Sequence, residues 1–231
     1  MGEKAVSVGA VGAVSEEESA PGPTRLSDAL IRGLLDVGVR CAYGLVGGAV
    51  APLASALHAS RLRFFHFRHE TGAAFAAVED SLASGQPTAV FTTTGPGITN
   101  ALTGLTAARS EGAKVILLAA TTPAPHQGRF ALQETSPHAS PFAGLFVAGP
   151  LFHYGAAISD PSELASVIAA LAAGRARLGG FVASVGVPIN LQSAIVEPAR
   201  HRSFVPMRTD GAAAAAADVA DVLFADTPSA R

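Results

Sequence analysis

Apolar and polar positions change in blocks along this chain, and the blocks alternate between two periods. From Leu26, the apolar residues Leu30, Ile31, Leu34, Leu35 and Val37 recur at helical spacing. Ser27 and Asp28 are prospective caps for this helix and Gly38 is its stop. A short apolar run, Val39 to Tyr43, predicts a strand that ends in a glycine-rich turn, Gly44-Leu45-Val46-Gly47-Gly48. The pattern then repeats. Helices are expected over Ala51 to Ala59, Glu70 to Leu82 and Ile98 to Ala108, and strands over Arg63 to Phe67, Ala89 to Thr93 and Val115 to Ala119.

Between Thr121 and Pro150 the periodicity breaks into a proline-rich stretch, the kind of long irregular segment that is usually functional or mobile. A strand over Phe152 to Ala156, a helix over Leu164 to Ala173 capped by Ser162 and ended by Gly174, and a last strand over Phe181 to Val185 complete the series. Strands that read as apolar on both faces and alternate with helices imply a doubly wound α/β domain, a mostly parallel sheet covered on both sides. The expected organisation is a flexible leader at 1–24, one domain at 25–195 and an alanine-rich extension at 196–231. Ligand sites in such sheets lie beyond the carboxyl ends of the strands, so the loops at 44–49, 68–70, 93–100 and 121–136 are the ones to watch.

Composition narrows the picture. Apolar residues make up 49 % and charged residues 15 %, with 16 basic and 18 acidic side chains, which excludes a disordered chain and gives nucleic acid no basic surface. Cys41 is the single cysteine, so there is no disulfide framework, and its apolar neighbours predict a buried thiol. No apolar run is long enough to span a membrane, and the glycine- and valine-rich N-terminus lacks a leucine-rich signal core, so a cytoplasmic protein is expected. Gly95 and Gly97 do not make a dinucleotide fingerprint, because Asn100 stands where the third glycine belongs, and no Walker lysine follows. His126, His138 and His153 fit no metal spacing, and no residue is assigned to a metal.

Four segments fall where a site belongs. They are Tyr43-Gly44-Leu45-Val46-Gly47-Gly48-Ala49, Arg68-His69-Glu70-Thr71-Gly72-Ala73-Ala74, Thr92-Thr93-Thr94-Gly95-Pro96-Gly97-Ile98-Thr99-Asn100, and Leu132-Gln133-Glu134. In this order they resemble the pyrimidine-binding (PYR) domain of thiamine-diphosphate enzymes in the acetolactate synthase and benzoylformate decarboxylase superfamily, over about Leu26 to Gln192. The resemblance implies catalytic roles for Glu70 and Gln133, and cofactor contacts for Leu45, Val46, Glu70, Thr93, Pro96 and Asn100. Glu70 matches the carboxyl that sets the tautomer of the cofactor's aminopyrimidine, so that the thiazolium C2 proton can leave. Its apolar neighbours, Phe67 and the helix alanines, are expected to favour the neutral carboxyl. The sequence departs from the pattern at Leu45-Val46, where the family often has Tyr-Pro, and at Thr93, where decarboxylase relatives often have histidine.

The family's second, diphosphate-binding (PP) domain carries a Gly-Asp-Gly segment, which this chain lacks. The resemblance therefore implies a split enzyme. Its PP subunit would hold the diphosphate and Mg²⁺, in a heterotetramer of two PYR and two PP chains, and the PYR chain alone would be inactive. The expected reaction is decarboxylation of a 2-oxo acid such as pyruvate with transfer of the acyl carbanion to an acceptor. Two alternatives are a split 2-oxo acid decarboxylase and a non-catalytic PYR-like scaffold.

Overall fold

The computed structural model describes residues 22–136 and 142–196. The segments read as leader and extension lie outside them, apart from 22–24 and Val196, as does His138. The elements in chain order are β1 (Thr24–Arg25), α1 (Leu26–Val37), β2 (Cys41–Gly44), α2 (Ala51–His58), β3 (Arg63–His66), α3 (Glu70–Ser84), β4 (Thr88–Thr92), α4 (Pro96–Glu111), β5 (Lys114–Thr121), β6 (Tyr154–Ala157), α5 (Leu164–Arg175), β7 (Phe181–Pro188) and β8 (Ile195–Val196).

Six strands form one sheet in the order β3-β2-β4-β5-β7-β6, every pair parallel. The doubly wound α/β domain expected from the alternation is the architecture observed. Successive side chains of the strands divide between two cores, as the period of two demands. Ala89, Phe91, Ile116, Leu118, Ala183 and Val185 join the core under α1, α2 and α5, while Val90, Val115, Leu117 and Val182 join the one under α3 and α4.

Four local expectations are corrected. Ser27 and Asp28 do not cap α1; its N-cap is Arg25, without a side-chain hydrogen bond, and Ser27 is buried. The free N–H groups of Leu26 and Ser27 donate instead to the carbonyls of Ala194 and Gln192, at 2.8 and 3.0 Å. The returning C-terminal segment thus does the work of a cap, which the α1 sequence alone could not reveal. Ser162 does not cap α5 either. Asp160 accepts from the Ser162 N–H (2.9 Å) and hydroxyl (2.6 Å), opening a 3₁₀ turn, Pro161–Glu163, that runs into the helix. Gly174 is not the stop but a position inside α5, where the Phe181 ring occupies the space of the missing Cβ. Strand β3 is also less apolar than expected, because it is the sheet's edge and exposes Arg63, Phe65 and His66.

Gly38 does end α1, at φ +104°. Cys41 is a buried free thiol. Burial and then Asp80 push its pKa up, partly offset by Arg63, whose guanidinium donates to the sulfur at 3.0 Å. Among the described residues no helix is long and apolar enough to cross a membrane.

Candidate active site

The chain leaves β2 towards β3 on one side and returns to β4 on the other, which makes the β2/β4 boundary the switch point of the sheet. In sheets of this kind ligands bind at that point, beyond the carboxyl ends of the strands, and two segments meet there. These are the 44–50 loop and the turn after β4. They touch closely, since a Cβ on Gly47 would lie 2.6 Å from Thr93 Cγ2. Leu45 is half-buried and Val46 is exposed at this mouth.

Glu70 sits at the first residue of α3, next to the first turn of α4. His69 is the N-cap, in extended conformation, and its Nδ1 accepts from the Thr71 N–H at 3.2 Å. Glu70 is only 7 % exposed, which for a carboxyl demands partners. Its Oε2 accepts from Asn100 Nδ2 at 3.1 Å, across thirty positions of sequence. The two helix starts are tied a second time by Thr71 Oγ1, which donates to the Asn100 carbonyl at 2.6 Å. Glu70 Oε1 faces Gly97, where a Cβ would stand 3.3 Å from that oxygen and 2.7 Å from Thr93 Oγ1. Among the described residues nothing donates to Oε1.

The irregular stretch after β5 folds back to the same turn. Thr122 and Thr135 exchange hydrogen bonds: Thr122 N donates to the Thr135 carbonyl, and Thr135 N to Thr122 Oγ1, both at 2.8 Å. Gly95 N donates to Thr135 Oγ1 at 2.7 Å, and Thr94 Oγ1 donates to Gln133 Oε1 at 3.3 Å. Gly95 has φ +58°, and a Cβ there would lie 2.9 Å from Gln133 Cβ, so both the turn and the fit require glycine. Gln133 itself has φ +54°, a left-handed conformation that costs a non-glycine residue of order 1 kcal/mol. Glu134 is spent on the Gly128 N–H, at 2.5 Å.

The structure therefore brings Glu70, Thr93 and Asn100 together, and sets Gln133 against Thr94 and Gly95. Pro96 is exposed at the first position of α4, while Leu45 and Val46 lie across the mouth. His126 and His153 belong to other parts of the fold. Reasoning from sequence overlooked Thr71, Thr94, Thr122 and Thr135, whose hydroxyls hold the site in shape. The threonines at the ends of β4 and β5 were the available signal. It also overlooked Gln192, fully buried, whose Nε2 donates to the Ala49 carbonyl at 2.8 Å and steadies the 44–50 loop. A separate crevice of about 170 Å³ lies at the ends of β5, β7 and β6, lined by Thr121, Gln127, Ser159 and Asn190 among others, with no charged side chain.

The fold and site thus define a parallel α/β domain with a buried carboxyl between the starts of two helices, beside glycines that leave no room for a Cβ. Residues 24–140 match the family model of the thiamine pyrophosphate enzyme N-terminal TPP binding domain, and the chain belongs to that family. It is 35 % identical over 138 residues to a probable acetolactate synthase large subunit of Methanocaldococcus jannaschii, covering 60 % of this chain and 22 % of the relative. It is 35 % identical over 105 residues to the acetolactate synthase isozyme 2 large subunit of Escherichia coli, covering 46 % and 19 %. It is also 30 % identical over 123 residues to a 2-hydroxyacyl-CoA lyase of Oryza sativa subsp. japonica, covering 52 % and 21 %. The chain thus spans about a fifth of the length of these curated relatives.

Proposed function

We propose that this chain is the pyrimidine-binding subunit of a thiamine-diphosphate enzyme that decarboxylates a 2-oxo acid such as pyruvate and transfers the acyl unit to an acceptor. The observation that carries the reading is the Glu70 carboxyl, nearly buried, with one oxygen held by Asn100 and the other turned to the glycine-lined cradle at Gly97. A flat aminopyrimidine fits a cradle whose walls cannot carry a Cβ, and Glu70 Oε1 is the oxygen left to meet its ring nitrogen. Thiamine diphosphate, when bound, supplies the nucleophilic carbon and electron sink for decarboxylation. Glu70 would hold and release the proton at Oε1, while Thr93 and Pro96 border the ring and Leu45 and Val46 keep water from its face. Gln133, fixed by Thr94, would address the substrate side.

The similarity to acetolactate synthase large subunits favours transfer to a second oxo acid over simple release of an aldehyde. In this reading a separate PP chain holds the diphosphate and Mg²⁺, the assembly has two chains of each kind, and the PYR chain alone does not turn over. The apolar side chains exposed near the mouth, Val46 (47 %) and Leu132 (91 %), are suited to be covered by such a partner.

The test is Glu70→Gln in the reconstituted complex, with pyruvate as donor and products analysed with and without an added oxo-acid acceptor. Turnover should fall ~10²–10⁴-fold, the range of a general acid–base group. Activity within about threefold of wild type, under ~1 kcal/mol, would overturn the assignment. Titration calorimetry of the chain alone should show weak thiamine diphosphate binding that tightens with the partner and Mg²⁺. Tight binding and turnover by the single chain would overturn the split.

A further inference from the structure

We infer that Asn100 acts on the reaction through Glu70 and not through the cofactor: it is a positioning residue that holds the plane of the carboxyl so that one oxygen is turned to the cradle. This rests on the thiamine reading and adds to it a division of labour between two residues expected to touch the same ring.

Asn100 lies on the fifth residue of α4, on the side turned to α3. Its Nδ2 donates to Glu70 Oε2 at 3.1 Å, and its own backbone carbonyl is held by Thr71 Oγ1 at 2.6 Å. The donor is thus anchored by the helix whose first residue it serves. Glu70 has two oxygens and, among the described residues, one donor. With one oxygen engaged by Asn100, the carboxyl is held in one plane and the other oxygen lies beside Gly97. Among the described residues no other side chain donates a hydrogen bond to Glu70, although the Thr93 hydroxyl also borders Gly97. Arg68 and His69 are exposed, and His69 Nδ1 is occupied by the Thr71 N–H. Helix α4 carries no charged side chain before Arg109, and Glu134 is bound to Gly128.

The contact between the two helix starts depends on small residues. A Cβ on Gly104 would stand 2.5 Å from Ala74 Cβ, so α3 and α4 approach as closely as glycine allows, which brings a side chain as short as asparagine within reach of the carboxylate.

Two measurements decide the assignment. In the cofactor-free full chain, the ¹H–¹⁵N resonance of the Asn100 side-chain amide should be displaced downfield and should lose that displacement in Glu70→Ala. In the complex loaded with thiamine diphosphate and Mg²⁺, Asn100→Leu removes the donor at similar volume. The turnover number should fall about 10–100-fold, the worth of one hydrogen bond to a charged group, while the dissociation constant for thiamine diphosphate stays within about twofold. Asn100→Asp sets a second carboxylate against the first and should lose more.

An amide resonance indifferent to Glu70→Ala overturns the contact. A loss of cofactor affinity that matches the loss of turnover overturns the division of labour, because Asn100 would then touch the ring itself. If Asn100→Leu does not fold, Asn100→Ser, too short to reach, replaces it. Unfolding of both assigns Asn100 to the fold and overturns the inference. Failure of the thiamine reading is distinct: Glu70→Gln would then keep its activity whatever Asn100 does.

Discussion

The two faces of the sheet are built from different residues. Under α1, α2 and α5 the core is aliphatic and bulky, with Leu26, Leu30, Ile31, Leu34, Leu53 and Leu57 all buried. Under α3 and α4 the layer is largely alanine: Ala73, Ala74, Ala77, Ala101 and Ala108, with Gly97 and Gly104 between them. Large side chains hold helices away from one another and remove much apolar surface from water. Small ones contribute less burial but let two backbones approach, and the site lies between those two backbones. The thick face is where stability should reside; the thin face is where placement is controlled to a fraction of an ångström.

Single substitutions break this contrast in opposite ways. The largest loss of stability is expected for Leu34→Ala, a fully buried side chain on the thick face, at ~2–5 kcal/mol. Urea unfolding should record it, while turnover per folded molecule in the proposed complex stays near wild type. Gly104→Ala should cost less, ~1–3 kcal/mol. The new Cβ would meet Ala74 Cβ at 2.5 Å and the α3 backbone at 2.9 Å. A gain in helix propensity of up to ~1 kcal/mol offsets only part of this. Here the activity loss should exceed the stability loss, because α3 is pushed from α4 and the Glu70–Asn100 bond opens. A stability loss with full activity would show that the helix spacing does not control the site.

Acid tests the sheet away from both. Burial, then the charges of Arg109 and Arg177, lowers the pKa of His153, whose Nδ1 accepts from the Val182 N–H at 2.9 Å. The unfolded chain therefore takes up the proton first. The stabilisation is fully present above the ordinary histidine value of ~6.5 and is lost as pH falls through the lower folded value. Urea midpoints should drop between pH 7.5 and 5 by less than about 1 kcal/mol after solvent screening. In His153→Gln this part of the pH dependence should disappear; an unchanged profile would place the titration elsewhere. The smallest effect is expected from removing residues 1–22, because that segment lacks a periodic apolar face and, among the described residues, both cores are built from Leu26 onward. A midpoint within about 0.5 kcal/mol of the full chain is the expected result.

The fold was legible because its strands carry apolar residues on two faces, so β2, β4, β5 and β7 announce themselves with little help from context. The edge strand β3 was overestimated in apolar character for the same reason: nothing local distinguishes an edge. Caps failed where a distant segment satisfies the helix end, as Gln192 and Ala194 do for α1. Glu70, Thr93 and Asn100 were legible as neighbours because the helices that follow β3 and β4 start at the same end of the sheet. That Asn100 addresses Glu70 depends on the interhelix spacing set by Gly104 and Ala74, a three-dimensional fact with no signature in the spacing of 70 and 100. The threonine ties of Gln133 were hidden because the stretch that carries them has no period.

The position of β7 has a consequence for how this chain is made. It is inserted between β5 and β6, both of which precede it in sequence. During synthesis, β5 therefore emerges with one whole edge and its buried valine, isoleucine and leucine side chains unpaired until Phe181 to Pro188 arrive. At about 5–20 residues per second, that wait is on the order of seconds. For that interval the nascent chain carries an open, apolar strand edge of the kind that recruits other strands. Yield in the cell should therefore depend on chaperone supply and on translation speed between β5 and β7 more than on the stability of the finished fold.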